Sequence, residues 1–438
     1  MRIESLKVAG AILALTLATR SLSAQQSPPL LTLGAVYHTV DRASPAIRGA
    51  YAAVRAAEAR VPGASRLPDP TIQLQLMNRN LPGLGLNDPL GMNQVQITQM
   101  VPLAGKLGIA GRVAGARADA ARESVAEVMW SRRASAAMAF FEVHRLDATV
   151  AISRETLRLL QDVGAAVSQM YAVGDARQAD VLRAQLEINR MTGEIEDMIR
   201  MRAAMAARLN AVLNRSATDT VGATEQSGLP DTLPSVDSLV ARAFASRAML
   251  RAAAANVQAA TESERLARRE IWPDLEVGLI YGQRGMADGT TDRMVSLMLG
   301  ATVPIWASSR QYRMRDETAA MREMAAADLD ALRAETRGRI AELVAQLDGT
   351  ARLRGLYARS ILPQAEATAQ AARHAYQAST VDFMTMLDAV MVVNTYREKL
   401  QQLDAEAGTA LAELEMLTGS PLIPGNPPIS QSGKGGIQ

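Results

Sequence analysis

The chain carries one pattern twice. Pro68-Asp69 and Pro273-Asp274 each open a short segment in which apolar and polar residues alternate. Val101-Pro102 and Val303-Pro304 each close a second such segment. Long helical stretches follow, and each reverses after a tyrosine, at Tyr171-Ala-Val-Gly174-Asp and at Tyr376-Gln-Ala-Ser379-Thr. Tyr171 and Tyr376, Leu182 and Leu387, and Leu209 and Leu414 all stand 205 residues apart. A duplicated strand-strand-helix-helix unit constrains the fold more than any single motif, because each copy must bury its apolar surface against a neighbour.

The alternating segments have a period of two. Ile72, Leu74 and Leu76 lie opposite Thr71, Gln73 and Gln75, while Val95 and Ile97 lie opposite Gln94, Gln96 and Thr98. In the second copy Leu275, Val277, Leu279 and Tyr281 oppose Glu276, Gly278 and Gly282. Val295, Leu297, Leu299, Ala301 and Val303 oppose Ser296, Gly300 and Thr302. Such strands have one apolar and one wet face. A soluble hairpin covered by helices has that pattern, and so does a membrane barrel with a water-filled lumen. Turn formers fill the connections Asn78 to Gly91 and Gln283 to Asp292. Four strands cannot close a barrel, and open edges are not tolerated in lipid, so a membrane reading requires several protomers to pool strands.

The helices are unusually long. No proline occurs between Pro102 and Pro230, and the stretch from about Lys106 to Gln169 is helical almost without a break. At 1.5 Å per residue this is a rod of roughly 90 Å. In the return helix Met191, Met198, Met205 and Val212 recur every seventh residue, with Ile195 and Leu209 at the companion positions, as in a coiled-coil seam. Ala46 to Val61 reads as a shorter helix matched by Val236 to Arg269, and Pro363 is expected to kink the outgoing helix of the second copy. Residues 25–45 read as irregular.

The first residues read as a secretory signal: basic Arg2 and Lys7, an apolar core over Val8 to Ala18, and small residues for cleavage after Ala24. Residues 1–24 carry three basic groups and one acid, so their loss takes the formal charge from +2 to neutral. Nothing in that balance calls for nucleic acid. The chain has no cysteine, so an exported form relies on packing and assembly rather than disulfides. No apolar run reaches the roughly 18 residues of a membrane helix, which leaves β-strands as the route into a bilayer. These readings give a mainly α fold with a small β part. They divide the chain into a signal peptide (1–24), a first repeat (25–215), a linker (216–234), a second repeat (235–419) and a disordered tail (420–438). The strands are expected near 70–77, 93–101, 274–282 and 294–303, and the long helices near 106–169, 178–214, 308–374 and 383–418.

In order and spacing, these residues resemble the TolC-type outer-membrane efflux factors. The resemblance rests on the paired tyrosine turns followed by Asp180-Val181-Leu182 and Met386-Leu387-Asp388-Ala389. It rests also on the closing segments at Leu209-Asn210 and Leu414 to Gly419, and on the strand-ending Pro102 and Pro304. It implies a homotrimer whose protomers each give four strands to a twelve-stranded outer-membrane barrel and long helices to a periplasmic α-barrel. It further implies docking to a periplasmic adaptor and an inner-membrane pump of the resistance-nodulation-division type. Leu67-Pro68-Asp69-Pro70 and Gln99 to Lys106 are similar to the heavy-metal branch of that family, although Pro102, Gly105 and Pro304 at the strand-to-helix junctions also serve the geometry of the turn.

The resemblance places Asp388 in a periplasmic aperture, where a three-fold ring of carboxylates would select cations; a plain solvated helix residue is the alternative. Thr385 stands one turn earlier, where a second acid is usual in the family. Val173, Gly174 and Asp175, with Ala378, Ser379 and Thr380, would form tips that meet the adaptor. Ser379 replaces the usual glycine, so the second tip is expected to turn differently. His38, His144 and His374 show no ligand spacing, and no metal site or cofactor is assigned. The 22 methionines read as packing residues, although Met100 and Met298 would face the lumen. No Gly-x-Ser-x-Gly elbow or phosphate-binding loop is present, so the chain reads as a passive conduit and not an enzyme. A soluble periplasmic coiled-coil scaffold is the competing reading; it leaves the four alternating strands without a purpose.

Overall fold

The computed structural model describes residues 30–78, 91–225, 228–230, 232–286, 288–378, 380–424 and 426–427. The signal segment and the middle of the first hairpin loop lie outside these residues. The elements run α1 (Leu33–Ala43), α2 (Pro45–Ala64), β1 (Thr71–Met77), β2 (Met92–Val101), α3 (Lys106–Ala172) and α4 (Gln178–Val212). The second copy repeats the order with α5 (Val236–Ser246), α6 (Ala248–Arg269), β3 (Asp274–Gly285), β4 (Thr291–Thr302), α7 (Gln311–Leu356), α8 (Leu362–Gln377) and α9 (Phe383–Thr418).

Residues 33–43 correct the expectation of an irregular start. Thr32 caps α1 by accepting from the Ala35 amide at 3.2 Å. Leu33, Val36, Tyr37 and Val40 then recur at helical spacing and are all buried. Ser44 separates α1 from α2, as Arg247 separates α5 from α6, so the short helices are duplicated as well.

The 67 residues of α3 span about 100 Å at 1.5 Å per residue. Its alanines let neighbouring helices approach closely. Gly408 of α9 faces Phe141 of α3 so tightly that a Cβ there would lie 2.5 Å from the ring. Phe140, Phe141, Leu209, Ile340 and Leu414 anchor the main core where both copies meet α1 and α5. A second core near the helical tip gathers Leu160, Val167, Met191, Ile195, Phe383, Met386 and Leu387. Met191, Ile195 and Leu209 of the heptad stripe are among the buried residues of α4.

The outgoing helix of the second copy starts at Gln311, after turns through Pro304–Arg310, and reaches Gln377. Pro363 does not break it. A π-helical turn over Tyr357–Ile361 precedes the proline and gives its ring room against the preceding turn. The tail is also corrected over the residues that are described. Glu415 accepts from the amides of Leu422 at 2.6 Å and Ile423 at 2.7 Å and from Asn426 Nδ2 at 2.7 Å. Arg133 donates to the Pro427 carbonyl at 2.7 Å while paired with Asp41. Ile423 is buried in the main core.

The four strands form one antiparallel sheet in the order β1-β2-β3-β4. β2 pairs with β3, so the two copies are joined through their sheets as well as their helices. β3 and β4 run longer than the sequence pattern indicates, and their loop contracts to 286–290, closed by the Met286 amide on the Thr290 carbonyl at 2.9 Å.

Candidate functional site

The sheet register sorts the strand side chains into two faces. Ile72, Ile97, Leu279 and Leu297 form one cross-strand row, and Leu74, Val95, Tyr281 and Val295 form the next. This face is uncovered within the protomer: Leu74 and Val295 are each 70% exposed. The opposite face carries Gln73, Gln96, Ile280 and Ser296 in one row and Thr71, Thr98, Gly278 and Met298 in another. Gln96 Nε2 donates to Thr98 Oγ1 at 3.0 Å and reaches Met298 Sδ at 3.6 Å. The apolar face suits lipid and the amide-rich face suits water. Among the described residues, β1 and β4 each have a neighbour on one side only, so two rows of backbone donors and acceptors stand open.

At the strand-to-helix junction Pro102 ends β2. Ala104 (φ 58°) and Gly105 (φ 73°) then turn the chain through left-handed backbone into α3. The next residue, Lys106, is only 5% exposed. It donates to Asp274 Oδ1 at 2.8 Å and to the Trp272 carbonyl at 2.9 Å, and lies 3.3 Å from Glu270. One buried ammonium thus ties the first copy's junction to the start of the second copy's sheet. The sequence reading missed this clamp, because a lysine after a glycine carries no sign of burial. Pro304 opens the equivalent turn of the second copy, beside the exposed Ile305 and Trp306.

At the far end of the helices the two reversals use one solution. Gly174 sits at φ 89° after α3; the Asp175 amide bonds the Met170 carbonyl at 2.8 Å and the Gly174 amide bonds the Tyr171 carbonyl at 3.1 Å. This is a Schellman closure. After α8 the Thr380 amide bonds the Ala375 carbonyl at 2.9 Å in the same relation, and the Ala378 amide bonds the His374 carbonyl at 3.0 Å. Ser379 lies outside the described residues. The described bonds therefore follow the first tip, and the expected difference is not seen in them. Val173, Gly174, Asp175, Ala378 and Thr380 are all exposed.

Asp382 caps α9, accepting from the Thr385 amide at 2.9 Å and from its hydroxyl. These two bonds, aided by Arg183 and Arg177, hold its carboxyl below the usual range. Thr385, in the place expected for an acid, is thereby engaged with an acid one turn earlier. The sequence reading missed Asp382. An aspartate three residues before a threonine at a helix start was the available signal. Phe383, Met386, Leu387 and Val390 pack inward, each such burial contributing about 1.5–3 kcal/mol. That orientation leaves Thr385, Asp388, Val392 and Thr395 on an exposed stripe. Asp388 and the tip residues are thus brought to the same end of the molecule, while Pro102, Gly105 and Pro304 stand at the sheet end. Among the described residues, no group of His, Asp or Glu is arranged to hold a metal ion. His144 bonds Thr224 Oγ1 through Nδ1 at 2.9 Å. Among the same residues, no helix is long and apolar enough to cross a membrane.

An apolar-and-wet sheet with open edges, continued by helices far longer than a globular core requires, is the architecture of a channel subunit. Comparison with known families agrees: the model of the outer membrane efflux protein family matches residues 36–215 and 239–420, and the chain belongs to that family. Its fold is similar to solved channels. VceC of Vibrio cholerae aligns with a TM-score of 0.75 at 16% identity, covering 89% of this chain and 96% of that one. A membrane protein from Pseudomonas aeruginosa aligns at 0.77 and 17%, covering 89% and 90%. The open state of the MtrE channel of Neisseria gonorrhoeae aligns at 0.73 and 15%, covering 89% of each. Comparison with curated proteins returns no match. The protein is an outer-membrane efflux channel with a long periplasmic helical extension. Channels of this family form trimers and work with an adaptor and an inner-membrane pump.

Proposed function

We propose that three copies of this chain pool their strands into one twelve-stranded pore, and that this pore is the passive exit of a resistance-nodulation-division pump. The observation that carries the reading is the pair of edges on β1 and β4 left unpaired among the described residues, beside an apolar face that no described residue covers. A single sheet of this kind is unstable in lipid, because every open backbone group there costs several kcal/mol. Joining β4 of one copy to β1 of the next satisfies both edges at once. In that ring Asp388 supplies three carboxylates to the periplasmic aperture, and the tips at Val173–Asp175 and Ala378–Thr380 meet the adaptor. Pro102, Gly105 and Pro304 set the angle at which helices leave the barrel.

The absence of cysteine makes the test clean. Single cysteines introduced along β1 and β4, paired across the edges, are oxidised in whole cells. Disulfide-linked trimers are expected for pairs in register. Linked species absent from every register, with monomers in mild detergent and no conductance in planar bilayers, would end the proposal.

A further inference from the structure

The duplication extends to pairing partners. Thr71 opens β1 opposite Thr98, and Asp274 opens β3 opposite Thr302. Thr71 and Asp274 stand 203 residues apart, and Thr98 and Thr302 stand 204 apart. The helices keep the same two shifts. Arg133 of α3 pairs with Asp41 of α1, and Arg337 of α7 lies over the ring of Phe244 of α5. Arg337 follows Arg133 by 204 residues, and Phe244 follows Asp41 by 203. The π-helical turn at Tyr357–Ile361 then adds the one residue that makes the spacing 205 at Tyr171 and Tyr376.

Within the protomer the two repeats meet along a seam of β2 with β3 and α3 with α6. Lys106 donates to Asp274 there at 2.8 Å, Arg112 to Glu262 at 2.9 Å and Arg251 to Glu123 at 2.7 Å. Thr98 stands opposite Gly278, and Gln99 opposite Val277. A ring of protomers presents β4 and α7 of one to β1 and α2 of the next, which is the same relation between repeats. Shifting one side of the seam forward by 204 residues and the other back by 203 therefore gives the contact between protomers. Thr302 falls opposite Gln75 of the neighbour, and Val303 opposite Leu74. Arg310 takes the place of Lys106 and faces residues 67–71, where the acid is Asp69. Asp316 takes the place of Arg112, and Arg60 lies one residue from the place of Glu262. Arg48 takes the place of Arg251, and Asp328 lies one residue from the place of Glu123.

Three further observations agree with this alignment. All six charged residues are exposed, and among the described residues Arg310, Asp69, Arg60, Arg48 and Asp328 have no ion-pair partner. The Met286 amide on the Thr290 carbonyl continues the β3–β4 register, so even-numbered residues of β4 bond β3 and odd-numbered ones face the open edge. Pro304 follows β4 at an even position, so the N–H it lacks is not one the neighbour needs. Val303 against Leu74 also keeps the apolar face continuous, which a shift of one residue would reverse.

We propose that this seam sets the register in which one protomer recognises the next. Arg310 meets Asp69 of the neighbour, Asp316 meets Arg60 and Asp328 meets Arg48, beside a β4–β1 ladder with Thr302 opposite Gln75. The inference rests on the trimeric reading above and adds the residues that choose the alignment. A backbone ladder repeats every two residues, so its hydrogen bonds do not distinguish alignments two residues apart. Such a slip moves the strand by about 6.6 Å and parts each charge from its partner.

Full-length Thr302→Cys/Gln75→Cys, oxidised in isolated outer membranes, is expected to run as linked trimers on denaturing gels. A directly opposed pair without mutual hydrogen bonds has its Cα atoms about 4.5 Å apart, within reach of a disulfide. Thr302→Cys/Gln73→Cys and Thr302→Cys/Met77→Cys, each two residues out of alignment, should link far less. Stronger linking in either of these overturns the register and leaves the trimer standing. Linking in none of the three overturns the register where trimers persist in mild detergent, and the trimeric reading where only monomers remain. Where the first pair fails to insert, Gly300→Cys/Met77→Cys tests the same alignment. Asp328→Arg should lower the temperature at which trimers dissociate at low salt, and high salt should narrow the difference. Asp328→Arg/Arg48→Asp should recover about half of that loss or more. A double variant no better than the single one overturns the ion pair.

Discussion

Thr156 Oγ1 donates to Asn394 Oδ1 at 2.7 Å, and this buried bond joins the outgoing helix of the first copy to the returning helix of the second. The contact is the start of a polar seam. Asn394 Nδ2 donates to Glu398 at 2.9 Å, and Ser153 donates to the same oxygen at 3.0 Å. Tyr357, at the π-helical turn, packs edge-on to Tyr396 alongside. Apolar packing alone permits helices to slide. A fully paired polar seam fixes their register, because any shift leaves buried groups unpaired.

Asn394→Leu leaves the Thr156 hydroxyl without its partner. A loss of about 1–3 kcal/mol is expected, the cost of an unsatisfied buried group. Adding Thr156→Val removes the orphan and should restore much of that loss. Thermal unfolding of the detergent-solubilised oligomer measures both, and a double variant as unstable as the sum of the singles would show that the two residues do not act as a pair.

Asp388→Ala should enlarge the resting conductance and weaken cation preference, since it removes one carboxylate per chain from a restricted aperture. Single-channel current and reversal potentials in a salt gradient report both quantities. An unchanged record would leave Asp388 as a solvated helix residue.

Gly174→Lys should weaken cross-linking to the adaptor and leave the trimer intact. A Cβ at this position meets nothing within 4 Å, so the damage comes from the backbone at φ 89° and from the added charge. Left-handed backbone costs an L-residue about 1–2 kcal/mol, and Gly174→Asn should cost less.

Lys106→Met should impair insertion more than any exposed substitution in α3. Removing one member of a buried ion pair costs about 3–5 kcal/mol. Asp274 and Glu270 are 25% and 33% exposed in their side chains and keep some water, so a smaller loss of about 1–3 kcal/mol is expected. The yield of folded protein in outer-membrane fractions measures it.

Burial pushes the Glu415 carboxyl above its ordinary range, against the opposing effect of its bonds from Ile423, Asn426 and Leu422. The native protein therefore holds this proton more tightly than the unfolded chain. The contribution is fully present below the ordinary carboxylate pKa and is lost as pH rises through the raised value. The C-terminal clasp should resist proteolysis better at mildly acidic than at neutral pH. Glu415→Gln should remove that difference.

Much of the architecture was legible because it is written at short range. Alternation at every second residue marked the strands, and alanine-rich, proline-free runs marked the helices. The spacing of 205 residues marked the duplication. Even α1 carries its signal in Thr32, Leu33, Val36, Tyr37 and Val40, which the nearby prolines obscured. Asp388, by contrast, rested on resemblance, because an exposed aspartate on a long helix has no local signature.

The order of the elements, the two faces of each strand and the reversal at Gly174 were determined by sequence, since each depends on residues no more than a few places apart. Tertiary structure decided that β2 lies beside β3, that Lys106 is buried against Asp274, and that Glu415 secures the C-terminal segment. These contacts join residues distant in the chain. No periodicity encodes them, because the partner is chosen by register and packing after the elements have formed.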